Sequence, residues 1–359
     1  MQDNKIEPIK VLIIDDSAFT RQAINRILGK TPNIKVIGTA IDGYDGMTKL
    51  AKLTPDIVTL DLEMPRMDGF SLLRWIMENK PLPVIIISSY GDAATVFKAL
   101  ELGAVDFVVK PTPSRSIGTG ELKELEDSLL IKVLNVKSFD LEKHKRTISR
   151  LGDTKPAVSS NLFKYSKDIE LVAIGASTGG PTAIQTILTR LPKNFPSGVV
   201  ISQHMPRGFT NQFAERLNGI AEIRVREAEH GELIEEGKVL ICPGGHHMVL
   251  ERLKDKVKVN IKNHSDSDKY IPSVDVMMKS AAAAYERKVM GIVLTGMGND
   301  GRDGMLEIKN KGGYTIAESE ESSVVFSMPQ AVISAGAADK VIPLEEISNE
   351  ILRKIKRNN

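Results

Sequence analysis

The feature that most constrains this chain is an alternation: short β-branched apolar runs take turns with segments of helical period. VLII (11–14), IKVIG (34–38), DIVTL (56–60), PVIIIS (83–88) and VDFVV (105–109) read as strands. They are nearly unbroken, as parallel strands covered on both faces must be. Between them, Ala23, Ile24, Ile27 and Leu28 mark one helix face, and Met47, Leu50 and Ala51 mark a second. Leu122, Leu125, Leu129 and Val133 mark a terminal helix. Strand and helix in strict alternation predict a doubly wound α/β domain over residues 1–136.

The alternation then stops. Residues 137–168 are polar, carry a basic cluster and keep no sustained period, which predicts an interdomain linker. From Leu171 it resumes with LVAIG, GVVIS, VLICP and GIVLTG, and helices are expected over 181–191, 208–217, 274–285 and 300–310. MVLERLKDKVKVNIK (248–262) reads as an antiparallel hairpin turning around Lys254–Lys256. Residues 169–359 are therefore expected to form a second, larger α/β domain, mainly parallel with that hairpin added. Two domains suit 359 residues, which exceed one ordinary core.

Composition excludes several classes. A net charge of +2 gives no broad electrostatic case for nucleic acid or an anionic membrane. No apolar run is long enough for a membrane span, and MQDNKIEPIK has no hydrophobic signal core, so a cytoplasmic protein is expected. A single cysteine, Cys242, excludes an intramolecular disulfide and a cysteine-based zinc cluster. In the run VLICP it reads as a plain buried residue.

In doubly wound sheets, ligands bind outside the carboxyl ends of the strands. Asp15 and Asp16 follow the first strand, Asp61 the third, Ser88 ends the fourth, and Lys110 ends the fifth before Pro111. Single aspartates at strand ends commonly cap helices. This whole set, in this order, instead predicts one edge where carboxylates converge. Such a cluster needs a hard divalent cation, and Mg²⁺ fits. A carboxylate there can accept a phosphoryl group, and a lysine can neutralise its oxygens.

The motifs VLIIDDS, DIVTLDLEMPRMDG, VIIISS and VDFVVKP resemble the receiver domain of bacterial response regulators over about 1–135. The resemblance implies that Asp61 is the phosphoacceptor and that Asp15 and Asp16 bind Mg²⁺, with the Glu63 carbonyl completing the metal shell. It implies that Ser88 and Lys110 sense the phosphoryl group and that Phe107 is the switching aromatic. A histidine kinase would be the phosphodonor.

The second half carries a different chemistry. Gly175-Ala176-Ser177-Thr178-Gly179 follows the strand LVAIG and precedes a helix, the pattern of a nucleophile elbow. An anion-binding glycine loop and simple packing remain alternatives, although the glycine spacing fits neither G-x-G-x-x-G nor a P-loop. A serine needs a base. Of six histidines, only His204 immediately follows a long buried strand, GVVISQ; His246, after Pro243-Gly244-Gly245, is the second candidate. The base needs a carboxylate. Asp300 in GIVLTGMGNDGRDG follows a strand and a glycine-rich turn, and competes with the reading that it caps the next helix. Asp303 lies further into that helix. Glycines around Met297 could expose backbone N–H groups to an oxyanion.

The order Ser177, His204, Asp300 is not that of α/β-hydrolases. IGASTGGP, QHMPRGFTNQFAERL, PGGHHM, PSVDVMMKSAA, LTGMGNDGRDGM and SSVVFSMPQA resemble the catalytic domain of the chemotaxis protein-glutamate methylesterase family over about 170–355. The resemblance implies Ser177 as nucleophile, His204 as base, Asp300 as orienter and Met297 as an oxyanion N–H, with no cofactor in this domain. Two positions depart from it: Cys242, where alanine is usual, and Glu318, where glutamine is expected. The implied substrate is a γ-glutamyl methyl ester on cytoplasmic chemoreceptor helices, and deamidation of receptor glutamine uses the same acyl chemistry. The resemblance also implies an inhibitory receiver released by phosphorylation, and a monomer is expected. Two rivals remain at this point: a response regulator with a binding output, for which no helix-turn-helix pattern is present, and an esterase of small metabolites.

Overall fold

The β-branched runs all become parallel strands, in two separate sheets. The computed structural model describes residues 7–89, 91–110, 119–136, 139–149, 168–265 and 267–355, with the backbone alone at 119–122 and 124. The chain divides into two units between Leu141 and Glu142.

The first unit runs β1 (Ile9–Ile14), α1 (Ala18–Leu28), β2 (Ile34–Ala40), α2 (Gly43–Lys52), β3 (Ile57–Asp61), α3 (Gly69–Asn79), β4 (Val84–Ser88), α4 (Ala93–Glu101), β5 (Asp106–Val109) and α5 (Thr119–Leu134). The strand order is β2-β1-β3-β4-β5, parallel throughout. Winding reverses between β1 and β3, which opens a crevice at their carboxyl ends. Ser17, Asp42 and Asp68 cap α1, α2 and α3 through their side chains, so these helices begin where the strand-end loops place a short polar residue. One face of the sheet is covered by Ile24, Leu28, Leu125, Leu129 and Val133, as expected. Ala51, expected inward, is exposed; α2 buries Gly43, Gly46 and Leu50 instead, because small residues let it sit close to its neighbours. The Leu122 side chain lies outside the described residues.

The second unit begins inside the stretch expected as a linker. Residues 137–138 and 150–167 lie outside the described residues, but Leu141–Ser149 form α6. A histidine, His144, fills its buried position, so no aliphatic period advertised the helix. Lys143 Nζ donates to the Glu320 carbonyl at 2.6 Å. Next come β6 (Leu171–Ala176), α7 (Gly180–Leu188), β7 (Gly198–Gln203), α8 (Phe209–Ile220), β8 (Arg224–Glu227) and β9 (Lys238–Ile241). The hairpin β10 (His246–Leu253) and β11 (Lys256–Asn263) is antiparallel and turns at Lys254–Asp255. It leads to α9 (Val274–Tyr285), β12 (Val289–Val293), α10 (Arg302–Asn310), β13 (Tyr314–Glu318), α11 (Ser327–Ser334), β14 (Lys340–Ile342) and α12 (Leu344–Ile355).

The seven strands order as β14-β13-β12-β6-β7-β9-β8, with every pairing parallel. The chain starts in the middle at β6, builds outward through β7, then returns to β12 on the other side. The topological switch point is therefore at β6. Val274, Met277, Met278, Ala281 and Ala282 of α9 are fully buried in the core beneath the sheet. Cys242, just past β9, is buried as expected, and burial pushes its thiol pKa well above the ordinary value. Among the described residues no helix is long and apolar enough to cross a membrane.

Candidate active site

Each unit gathers its polar residues at its own switch point. In the first, the ligand atoms of Asp15, Asp16 and Asp61 lie within 4.8 Å of one another. Lys110 Nζ is 2.6 Å from Asp61 Oδ2 and 3.1 Å from Asp15 Oδ2. Three carboxylates facing one ammonium leave a formal charge of −2. Burial pushes Asp15 up to about 6; Lys110 offsets this only in part, and the Asp61 charge adds to it. Burial alone would lower the Lys110 pKa, but the hydrogen bond and charge of Asp61, with the charge of Asp15, raise it. Asp15 Oδ2 is buried and faces Lys110 Nζ. Three carboxylates with their oxygens this close, carrying more negative charge than one lysine offsets, are the donor set a hard divalent cation takes.

The remaining residues expected at this site lie around it. Glu63 N donates to Asp61 Oδ1 at 3.3 Å while its side chain is exposed, so its backbone is the part near the carboxylates. Ser88 ends β4 beside the end of β3, buried, with its hydroxyl donating to the Ser89 carbonyl at 3.4 Å. Phe107 lies in β5 with its ring buried and Lys132 Nζ 5.3 Å from the ring centroid.

In the second unit, Ser177 follows β6, His204 follows β7 and Asp300 follows β12, three adjacent strands. His204 N donates to the Ala176 carbonyl at 3.1 Å, which ties the two strand ends together. The elbow is held from several sides. Ser177 N donates to the Thr295 carbonyl at 3.1 Å, and the Ser177 carbonyl accepts from Gly180 N at 2.8 Å and Gln203 Nε2 at 3.0 Å. Gly179 has φ +78, a left-handed conformation that favours glycine.

His204 Nε2 lies 2.8 Å from Asp300 Oδ2. Nδ1 is therefore the ring nitrogen turned away from this carboxylate, whereas in the usual serine-protease arrangement it is Nδ1 that meets the aspartate. Among the described residues no hydrogen bond joins the Ser177 hydroxyl to the His204 ring.

Asp300 is 2% exposed and meets its own helix only at the cap residue, where Oδ1 accepts from Gly301 N at 3.1 Å. It docks on the N-terminus of α9, where Oδ2 accepts from Val274 N at 2.7 Å and Oδ1 from Asp275 N at 2.9 Å and Ser273 Oγ at 3.1 Å. Burial alone would raise its pKa; the His204 hydrogen bond and charge and the α9 amides outweigh it and hold the carboxyl below its ordinary value. Asp275 returns the contact: its Oδ1 accepts from Gly301 N at 3.0 Å and Gly304 N at 2.7 Å at the start of α10. Each helix is capped by the other's carboxylate, which fixes Asp300 against His204. Sequence reasoning missed Ser273 and Asp275; the signal was Ser273 as a capping residue ahead of a helix, read as a motif and given no role.

The second candidates are placed elsewhere. His246 Nε2 lies 3.2 Å from Arg207 Nη2, and Asp303 is half-buried and paired with Arg302. Met297 is buried in the turn after β12, and its N–H donates to none of the described residues.

The comparisons with known proteins agree with this division. Residues 172–351 match the CheB methylesterase family and residues 11–119 the response regulator receiver domain. The chain is 46% identical over 363 residues to protein-glutamate methylesterase/protein-glutamine glutaminase 3 of Geobacter sulfurreducens, covering 96% of this chain and 97% of that one. It is 40% identical over 354 residues to the protein-glutamate methylesterase/protein-glutamine glutaminase of Pyrococcus horikoshii, covering 97% and 94%. The crystal structure of the Thermotoga maritima CheB methylesterase catalytic domain superposes with a TM-score of 0.51 at 41% identity, over 52% of this chain and 99% of that one. The resemblance carried by the motifs thus extends over nearly the whole chain, and the chain belongs to the CheB methylesterase family, with a response regulator receiver domain ahead of the esterase domain.

Proposed function

We propose that this chain hydrolyses γ-glutamyl methyl esters on the cytoplasmic helices of chemoreceptors, and deamidates receptor glutamines, under control of its receiver. The observation that carries the reading is the placement of Ser177, His204 and Asp300 at three adjoining strand ends around one switch point. The relatives' names supply the substrate class.

In this reading His204 is neutral, with Nε2–H donated to Asp300 and the lone pair on Nδ1. Ser177 Oγ attacks the ester carbonyl as its proton passes to Nδ1. The Met297 N–H donates to the tetrahedral oxyanion. Collapse breaks the bond to the methoxy oxygen, which takes the proton from Nδ1 and leaves as methanol. Water then attacks the acyl-serine as His204 again accepts the proton; collapse breaks the bond to Ser177 Oγ, which takes that proton from Nδ1, and glutamate is released. With a glutamine side chain the leaving group is ammonia. Asp300 stabilises the imidazolium without being protonated, which agrees with its lowered pKa.

In the receiver, Asp61 is the phosphoacceptor and a phosphohistidine of a kinase the donor, so that a P–N bond breaks as a P–O bond forms. Asp15, Asp16 and Asp61, with the Glu63 carbonyl, would hold Mg²⁺, which neutralises charge on the phosphoryl oxygens. Lys110 pairs with the same oxygens, Ser88 donates to them, and Phe107 is the residue whose rotamer follows. Methanol release from methylated receptor membranes tests both halves. Wild type should release methanol, faster with a phosphodonor; Ser177→Ala should release none, and Asp61→Asn should lose the acceleration alone. Undiminished release by Ser177→Ala rejects the esterase assignment.

A further inference from the structure

One face of the His204 ring is covered by Tyr270. The ring centroids are 5.1 Å apart and the planes 7° from parallel. Tyr270 comes from the loop between β11 and α9, three residues ahead of the α9 cap Ser273. Its hydroxyl donates to Asn299 Oδ1 at 3.1 Å and accepts from Asn299 N at 3.4 Å. Asn299 lies between Met297 and Asp300 in the turn after β12. The contact is close: Gly298 has φ +90, and a Cβ there would lie 2.3 Å from the Tyr270 oxygen. One side chain therefore touches the ring of the base and the turn that carries both the proposed oxyanion donor and the orienting carboxylate.

We infer that Tyr270 is a positioning residue of the esterase: its ring sets the plane of His204, and its hydroxyl holds the Met297–Asp300 turn in register with that plane. The inference rests on the triad reading given above. A single hydrogen bond from Nε2 to Asp300 leaves the imidazole free to swing about that bond, which would carry Nδ1 away from Ser177. A stacked ring removes this freedom. Reaction geometry is sensitive at this scale, since a misplacement of about 1 Å costs on the order of a hundredfold in rate. Stacking also places the π face of Tyr270 against the imidazolium that forms during the reaction, which favours the protonated ring. Lys269 Nζ lies 4.9 Å from the Tyr270 ring centroid, a second cation sharing the same aromatic ring.

The two functions separate in two substitutions, assayed in the full chain by methanol release against pH. Tyr270→Phe keeps the stack and loses the Asn299 anchor. It should lower kcat by roughly three- to tenfold, leave KM unchanged and leave the acid limb of kcat/KM in place. Tyr270→Leu loses both. It should lower kcat by roughly ten- to a hundredfold and move the acid limb to lower pH by about half a unit, because the imidazolium loses its aromatic partner. Tyr270→Phe removes only a hydroxyl from a half-buried site, so it carries the anchor test even where Tyr270→Leu unfolds. Ser177→Ala separates the readings. If it is inactive while both tyrosine variants keep wild-type kcat and acid limb, the triad stands and the inference about Tyr270 is overturned. An effect confined to KM makes Tyr270 a substrate contact and also overturns it. Activity in Ser177→Ala overturns the triad itself.

Discussion

Glu318→Gln should stabilise the esterase unit, and by more as the pH rises. Glu318 ends β13 with 0% exposure, in a fold whose family resemblance leads one to expect glutamine there. Its Oε2 accepts from Thr295 N at 2.8 Å and its Oε1 from Ser322 Oγ at 2.8 Å. Burial is the largest influence and pushes the carboxyl from 4.5 up to about 7; the two hydrogen bonds lower it, Glu345 raises it and Lys143 lowers it. The folded chain therefore binds this proton more tightly than the unfolded chain does. Stability from this group is intact below the unfolded value of 4.5 and is lost progressively as pH rises through about 7. A difference of about 2.5 pH units, at about 1.4 kcal/mol per unit, makes the loss on the order of 3 kcal/mol. Glutamine carries no such proton. Its oxygen can still accept from Thr295 N, and its amide can donate to the Ser322 hydroxyl, which already accepts from Leu344 N at 2.9 Å.

The assay is calorimetry of wild type and Glu318→Gln at pH 5 and pH 8. The single tryptophan, Trp75, lies in α3 of the receiver, so its fluorescence follows that unit alone and identifies the other transition. The gain from the substitution should be larger at pH 8 than at pH 5 by about 2.5 kcal/mol, since part of the loss has already occurred at pH 5, or roughly 5–10 °C in the second transition. A gain independent of pH would refute the reasoning, because it would mean that Glu318 folds without a change in its proton affinity.

Asp300→Asn should lower kcat by roughly 10³–10⁴-fold, since an amide nitrogen cannot accept from both His204 and Val274 N, and the imidazolium loses its counter-charge. It should also cost about 1–3 kcal/mol of stability in thermal melts, from the amide donors of α9 left without an acceptor. Mg²⁺ should raise the melting temperature followed by Trp75 fluorescence strongly at pH 7.5 and weakly at pH 5. The Asp15 carboxyl, held up near 6 by burial, is protonated below that value and competes with the cation. A shift equal at both pH values would exclude Asp15 as a ligand.

Much of this was legible in the sequence because the chemistry sits at strand ends. Asp15, Asp61 and Lys110 end strands whose β-branched runs are unmistakable, so their convergence follows once the sheet is parallel. Ser177, His204 and Asp300 follow β6, β7 and β12 in the same way. What the sequence concealed has physical reasons. β8 is a charged edge strand and β14 a three-residue edge, and edges carry little apolar pattern. α6 turns a histidine inward. Tyr270 lies in a polar loop, and nothing local says that it stacks on a residue 66 positions earlier.

The least legible part was the support of Asp300. Read locally, an aspartate ahead of a helix caps that helix, and Asp300 precedes α10. The structure gives α10 the carboxylate of Asp275, with one contact from Asp300 Oδ1 to Gly301 N, and gives α9 both oxygens of Asp300. The exchange has a consequence that a local cap would not. An aspartate turned back on its own helix would spend its acceptor oxygens there. Crossed over to α9, Asp300 keeps Oδ2 facing His204, while the His204 contact and the α9 amides hold it ionised against the effect of burial. The reciprocal partner Asp275 bears the opposite consequence, since burial raises its pKa with Asp300 adding to the rise. The pair is therefore divided by environment: as pH falls, Asp275 takes up a proton before Asp300, and the carboxylate beside His204 keeps its charge the longer.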